Sequence, residues 1–458
     1  MNRGLYSGLS EEPGRQPLFY DGSGNLLIGF LAGQVLTEET GTNATPNGAN
    51  NVILGDSAGL VLPNGNSNVF VGVLAGSTAS AGVSSSVLIG YNANCSAGSS
   101  VAIGSGAFTG SGVSTTAVGQ GAVAGGAQGT AVGSTAVASG ITAVAVGYTA
   151  TASGASSVAI GYDTTASTAE SIAIGGGGGG EAGATASGTN AIAIGGANSG
   201  SAVGASASNT NTIAIGTTAV ASVSGAIAIG ATASANSGSN ALAIGTGASA
   251  TASSATAIGA SATATSTDAI AIGLSSAASG NSSISIGPNT GAGGTGSIAI
   301  GDGVATGTGT GSIAIGGSVT GNVAGAIAFG RDSGGTGATT ATANEMAFGT
   351  ANQTLHFFGG LKGPIKSVTT TYAMAATDFT IIASASAGYT VTLPAPSAGA
   401  IYRIKNISSG QTVTVSQHAS ETIDGASTVA LSTQYEAIEV QSDGTNWFVV
   451  GQVATSIL

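Results

Sequence analysis

The pentapeptide Ser171-Ile172-Ala173-Ile174-Gly175 returns along this chain almost unchanged, and the distance between its copies limits the folds open to the sequence. Copies stand at 191–195, 226–230, 269–273, 297–301 and 312–316, with close variants at 158–161 and 241–245. From Gly90 the terminal glycines fall at a nearly constant interval, at Gly104, Gly119, Gly133, Gly147, Gly161 and Gly175. Two longer steps lead to Gly195 and Gly216, and the register resumes through Gly230 to Gly330. Before Gly90 the copies are looser, with Gly29, Gly55, Gly72 and Gly90 farther apart and unevenly spaced. A return at such an interval marks a repeat architecture in which each unit buries its apolar face only by stacking on the next.

Ile172 and Ile174 are two apart, which places both on one face of an extended strand and nearly opposite each other on a helix. A helix would also have to absorb a glycine every turn or two, at about 1 kcal/mol each relative to alanine. Strand is the outcome. The fourteen-residue unit from Gly161 to Gly175 accommodates two short strands and two tight turns, with glycine supplying a positive φ at the corner. About twenty coils stacked ~4.8 Å apart predict a rod of about 95 Å. The isoleucines are expected to fill the coil interior. The residue between them, alanine in the best copies (Ala173, Ala193, Ala228, Ala271, Ala299, Ala314), is expected to form a flat reverse face that packs on other copies of the chain. Homo-oligomerisation follows, and dimers or trimers would bury that face equally. The run Gly175 to Gly180 reads as an extruded surface loop, and Tyr148 and Tyr162, one period apart, are expected to stack on adjacent coils, an arrangement that seals a surface or binds sugar rings.

Ser-Ile-Ala-Ile-Gly followed by Ala/Ser/Thr-rich turns at this period closely resembles the head repeats of trimeric autotransporter adhesins, over roughly Leu26 to Gly349. The resemblance implies an all-β chain whose shaft is a left-handed parallel β-roll, a solenoid that assembles as a homotrimer. Similar repeats occur in fibres of bacteriophages and other viruses. No signal peptide, heptad stalk or membrane anchor accompanies them here: Glu11 and Glu12 stand where a secretory leader has its basic and apolar regions, and the apolar run Leu26 to Gly33 is too short to span a bilayer. The expectation is a chain that is not exported and does not insert into a membrane.

Composition narrows the partners. The formal net charge is -12, and no Lys or Arg occurs between Arg15 and Arg331, so nothing there can follow a phosphate backbone and nucleic acid is excluded. Cys95 is the only cysteine, which rules out an intrachain disulfide. The 80 glycines are corners: no Gly-Lys pair exists, so a phosphate loop lacks its lysine. The chain is divided as an attachment segment or cap (1–25), a shaft (26–349, irregular over 26–90 and regular over 90–330), a junction (350–364) and a C-terminal domain (365–458).

In the C-terminal domain the repeat ends and aromatics appear. Apolar or alternating segments at 390–393, 401–407, 412–415, 437–440 and 447–450, separated by turns at Pro394, Ser409-Gly410, Asp424-Gly425 and Asp443-Gly444, predict a small β-sandwich or jelly-roll-like domain. Its motifs Thr390 to Pro394, Tyr402 to Asn406, Thr422 to Gly425 and Ser442 to Trp447 look like a β-module of phage tail-fibre and tail-spike proteins. Trp447 is read as core. His356 and His418 are far apart in sequence and from Cys95, which does not favour a catalytic triad, and no His-X-His ladder supports a metal site at His356. Asp424, Glu436, Glu439 and Asp443 are the carboxylates available for glycoside cleavage, but Asp424 and Asp443 precede glycine as turn residues do, and Glu436 and Glu439 are three apart, on opposite faces of a strand. No catalytic residue, cofactor or metal is expected. Receptor-binding candidates are Tyr389, Tyr435, Asp443 and Asn446. The favoured role is a homotrimeric virion fibre or spike, on a tail or a head, attached through its N-terminal segment to a virion protein, with the C-terminal domain serving receptor binding or trimerisation, and reaching a host-surface glycan or protein. A bacterial surface adhesin head and a polysaccharide depolymerase are the alternatives.

Overall fold

The computed structural model describes residues 18–20, 24–33, 48–60, 64–80, 82–178, 180–197, 203–350, 353, 363–384 and 386–453, and every regular element among them is a strand. The chain divides into two compact units, Met1–Leu355 and His356–Leu458.

In the first unit, three-residue strands such as Ile172–Ile174 stack in parallel and in register, so that Ala173 faces Ala159 on one side and Ala193 on the other. Together they form a 22-stranded sheet that reaches Met346–Phe348. All but one of its strands are repeat rungs; Leu18–Tyr20 instead adds antiparallel to the first rung, Leu26–Ile28. Two-residue strands such as Thr165–Ala166 form a second, 14-stranded parallel sheet, from Asn94–Cys95 to Gly291–Ala292. Each regular coil therefore lays one rung in each sheet, and the unit is a β-solenoid of the kind the period predicts.

The direction of the side chains is the reverse of the sequence-based expectation. Ala173 and its equivalents Ala159, Ala193, Ala214 and Ala228 are fully buried, whereas the flanking isoleucines are only half-buried and Ile160 is 39% exposed. The second sheet contributes another buried alanine per coil, such as Ala152, Ala166 and Ala186. The reason is width. Ordinary packed sheets stand about 10 Å apart and are filled by branched side chains, but at the centre of each regular rung the coil leaves room for little more than a methyl group, while the turn position after the corner also takes Val319 and Thr164. Coil length confirms this. In the longer, irregular N-terminal coils the same central position is occupied by Leu27, Ile53, Phe70 and Leu88, all at most 2% exposed. Once the step shortens after Gly90, it becomes Ala102, Ala117 and Ala131.

The corner glycines are required twice over. Gly147 has φ 140, and a Cβ built on it would clash with the carbonyl oxygen of Gly161 on the next coil. Non-glycine residues also enter the left-handed region at fixed places, Thr149 (φ 54) and Asp163 (φ 53) beside the corner, Ser156 (φ 56) and Glu170 (φ 59) in the return turn. That conformation is disfavoured for β-branched side chains. At the wider N-terminal end a buried polar file replaces bulk: Asn25 Oδ1 accepts from Asn51 N (2.8 Å), Asn51 Oδ1 from Asn68 N (2.9 Å) and Asn68 Oδ1 from Ser86 N (3.0 Å). These side chains satisfy amides that the irregular turns would otherwise leave unpaired inside.

The second unit has the two sheets expected of a sandwich, five- and four-stranded, but not a jelly-roll order. Ile365–Val368, Thr380–Ala383 and Ile401–Asn406 pair in parallel in one sheet. Tyr372–Ala373, Tyr389–Thr392 and Val413–Ser416 pair in parallel in the other. The chain alternates between sheets, its connections, such as the exposed 369–371, passing from one sheet to the other rather than folding back as hairpins. Only afterwards does pairing become antiparallel, with Thr428–Leu431 on Val413–Ser416, Ala437–Ser442 on Ile401–Asn406, and Trp447–Val453 on Ala437–Ser442. Here bulk points inward: Trp447, Ile381, Ile404, Val391, Val413 and Leu431 are fully buried, with the Tyr402 ring centroid 5.4 Å from that of Trp447.

Candidate functional site

The reversal creates the largest surface feature of the shaft. The first and third residue of each first-sheet rung face outward, so Val158/Ile160, Ile172/Ile174, Ile192/Ile194, Ile213/Ile215 and Ile227/Ile229 stack into two apolar columns. The columns end at the stacked pair Phe329 and Phe348, with centroids 5.6 Å apart, beside Met346, which is 56% exposed. Continuous apolar surface on this scale is characteristic of an interface. The outward residues of the second sheet are mixed: Thr151, Thr165, Thr185, Ser206, Ser234, Ser249 and Thr263 present hydroxyls, while Phe108, Val123, Val137 and Val220 stand at the same position on other rungs. The first sheet is therefore the more uniformly apolar of the two faces.

On the shaft edge, Tyr148 and Tyr162 stack as expected, their centroids 5.3 Å apart and their planes 10° from parallel. The long steps after Gly175 and Gly195 leave the shaft on this same edge and bridge to each other at Ala182 and Val203. Gly179 and residues 198–202 lie outside the described residues. Cys95 is buried inside the first rung of the second sheet, and burial pushes its thiol up to about 11.

In the second unit each receptor-binding candidate has a local structural engagement. Tyr389 donates its hydroxyl to Val368 O (2.9 Å), and burial raises its pKa. Asp443 accepts from the amides of Thr445 and Asn446 (both 2.7 Å), and these bonds, Asn446 first, hold its carboxyl below the usual range. Asn446 Oδ1 accepts from Thr422 N (2.8 Å) and Thr422 Oγ1 (3.0 Å), closing that turn onto its neighbour. Tyr435 and Asp443 are the exposed members of the four, Tyr435 at 42%, with Lys405 Nζ 5.8 Å from the Tyr435 ring centre. Asp443 and Asn446 therefore share one turn, while Tyr389 starts a strand and Tyr435 lies in the turn before Ala437.

The remaining carboxylates are occupied in the same way. Glu436 accepts from Thr433 N (3.1 Å), Glu439 pairs with Arg403, and Asp424 (φ 49) accepts from Val449 N (3.3 Å). Sequence reasoning missed the Lys366 cluster, in which Nζ donates to Tyr372 Oη (2.6 Å) and that hydroxyl donates to Asp378 (2.7 Å). It also missed Arg403 over the Phe379 ring; no sequence spacing announces either. His356 lies outside the described residues. Among the described residues no three His, Cys, Asp or Glu side chains converge as metal ligands, and no helix is long and apolar enough to cross a membrane.

No curated protein matches the chain. The pattern of the YadA head domain repeat matches at residues 111–136, 138–164, 152–177, 182–198, 207–236, 237–262, 250–276 and 278–303, all within the parallel coils and none in the second unit. The stacked rungs, corner glycines and period already described run through all of these stretches, so between residues 111 and 303 the shaft is similar to a run of YadA head domain repeats.

Proposed function

We propose that the chain is a fibre-forming adhesin that works as a homotrimer. The observation that carries the reading is the pair of outward apolar columns on a shaft of YadA head repeats. Three copies packed through those columns would remove them from water and leave the hydroxyl-bearing second sheets outside. At about 25 cal/mol per Å² of apolar area, a face of this length rewards association strongly. Three stiff shafts would then present three copies of each weak binding surface, and attachment would gain its strength from avidity.

We place this fibre on a virion surface, held by its N-terminal segment and assembled in the host cytoplasm, with adhesion to a host glycan or protein as its role. Leu18–Tyr20 pairs with the shaft and gives that segment a fixed root; residues 1–17 lie outside the described residues. The likeness of the C-terminal motifs to tail-fibre modules supports the placement. Display on a bacterial surface is the second reading, and the YadA head repeats favour it equally. The turn at Asp443 and Asn446, with Tyr435 and Tyr389, is the proposed receptor-facing part of the second unit. Binding rather than catalysis is the activity: incubation with host capsule should release no new reducing ends. Immunogold labelling separates the two placements, with label on particle fibres expected and label on the producing cell's envelope contradicting it.

A further inference from the structure

Gln120, Ser134, Tyr148 and Tyr162 each follow the corner glycine of successive coils, and the in-register strands beside them align the four positions in one file along the shaft edge. Backbone bonds fix the file: Thr135 N donates to Gln120 O (2.8 Å), Thr149 N to Ser134 O (3.1 Å) and Asp163 N to Tyr148 O (3.0 Å). One face of the Tyr148 ring is covered by Tyr162. The other looks toward the Ser134 rung, where the side chain is only a hydroxymethyl group, and Tyr148 is 51% exposed. Beyond that gap the file continues at Gln120, whose side chain is exposed. Two coil rises, about 10 Å, separate Gln120 from Tyr148, which leaves space for one ring at the usual stacking distance of about 4.5–7 Å.

We propose that this notch binds a single neutral pyranose residue of a glycan. The apolar face of the sugar stacks on Tyr148, continuing the tyrosine file, and its hydroxyls meet the Gln120 carboxamide and the hydroxyls of Ser134 and Thr135. Thr135 is exposed and donates its own proton to Ser134 O (2.8 Å), so it offers outward lone pairs. Charge selects the ligand class. No Lys or Arg occurs between Arg15 and Arg331, while Asp163 stands exposed one coil beyond Tyr148. A carboxylated, sulfated or phosphorylated ligand would find no counter-charge here, whereas a neutral sugar needs none. The far face of Tyr162 offers no second notch, because Gly177 N donates to Tyr162 O (3.0 Å) as the chain leaves into the long loop.

The proposal rests on the adhesin reading only in placing that glycan on a host surface. The test is the labelled full-length chain on an array of oligosaccharides ending in glucose, galactose, mannose or N-acetylglucosamine, with sialylated and sulfated counterparts. Binding to the neutral set is expected, reduced about tenfold by Tyr148→Ala and by Ser134→Tyr. Ser134→Tyr fills the notch with the next ring of the file and should leave the circular dichroism spectrum and the solution mass unchanged, so a loss of binding is not a loss of fold. Silence of the neutral set, preference for the anionic set, or full binding by Ser134→Tyr would overturn the proposal. Host-cell adhesion that survives Ser134→Tyr would remove the notch as the adhesive site and leave the adhesin reading standing. Array binding without any cell adhesion would do the reverse.

Discussion

The two units are both two-sheeted coils, yet they dispose of apolar bulk in opposite directions. In the C-terminal unit Trp447, Ile404, Ile381 and Leu431 point inward and are fully buried by their own chain. In the shaft the interior is alanine, and the isoleucines that might have filled it stand outside. A domain that buries its large side chains gains its core from its own chain; a solenoid that displays them leaves that apolar area open to a partner, as the proposed trimer requires. The difference follows from the length of a coil, since the centre of each short rung has room for little more than a methyl group and the larger residues on either side of it face outward.

That contrast can be broken from either side. The largest effect is expected at Trp447→Ala, which removes the biggest buried side chain of the second unit and should cost about 3–5 kcal/mol; thermal unfolding followed by near-ultraviolet circular dichroism should lose the second unit's transition while the shaft's β signal persists. Next comes Ala173→Leu, which forces a branched side chain into a methyl-wide interior, with a loss of about 1–3 kcal/mol. Its control is Ile172→Ala one residue away, which should leave the coil folded and weaken association instead. If Ala173→Leu were neutral and Ile172→Ala unfolded the coil, the side-chain directions described here would be wrong. A smaller effect is expected at Thr149→Gly, which relieves a β-branched residue of its left-handed conformation and should gain about 1 kcal/mol in thermal stability.

The last prediction is kinetic. With its pKa at about 11, the Cys95 thiol stays protonated in the native state at pH 8, while in the unfolded chain its ordinary value of 9.0 leaves a reactive thiolate fraction. Labelling by a maleimide at pH 8 should therefore be slow until denaturant is added. Rapid native-state labelling would show that the first rungs of the second sheet open readily.

Much of the shaft was legible because two-residue alternation and a fixed glycine period leave only a stacked strand. The faces come out reversed in the structure because alternation says that two faces differ, not which one is inside. A sharper reading was available at Leu27, Ile53, Phe70 and Leu88, which hold the central position where the N-terminal coils are long; their replacement by alanine as the period shortens marks that position as the interior. The second unit was read as two-sheeted, but Ile365–Val368, Tyr372–Ala373, Thr380–Ala383 and Thr428–Leu431 were missed as strands. They are four residues long or shorter, and Ile365–Val368 holds Lys366 and Ser367 between its apolar ends. The stacking of Tyr148 and Tyr162 followed directly from the period. The notch at Ser134 did not, since it depends on which face of a ring is left uncovered.

The central claim is that the outward isoleucine columns are an interface between copies of this chain. Sedimentation equilibrium of the full-length protein tests it directly. A mass three times that of the 42.5 kDa chain is predicted, falling toward the monomer when Ile172, Ile192 and Ile213 are changed together to aspartate. A wild-type mass of a single chain at micromolar concentration, with the apolar columns open to water, would contradict it.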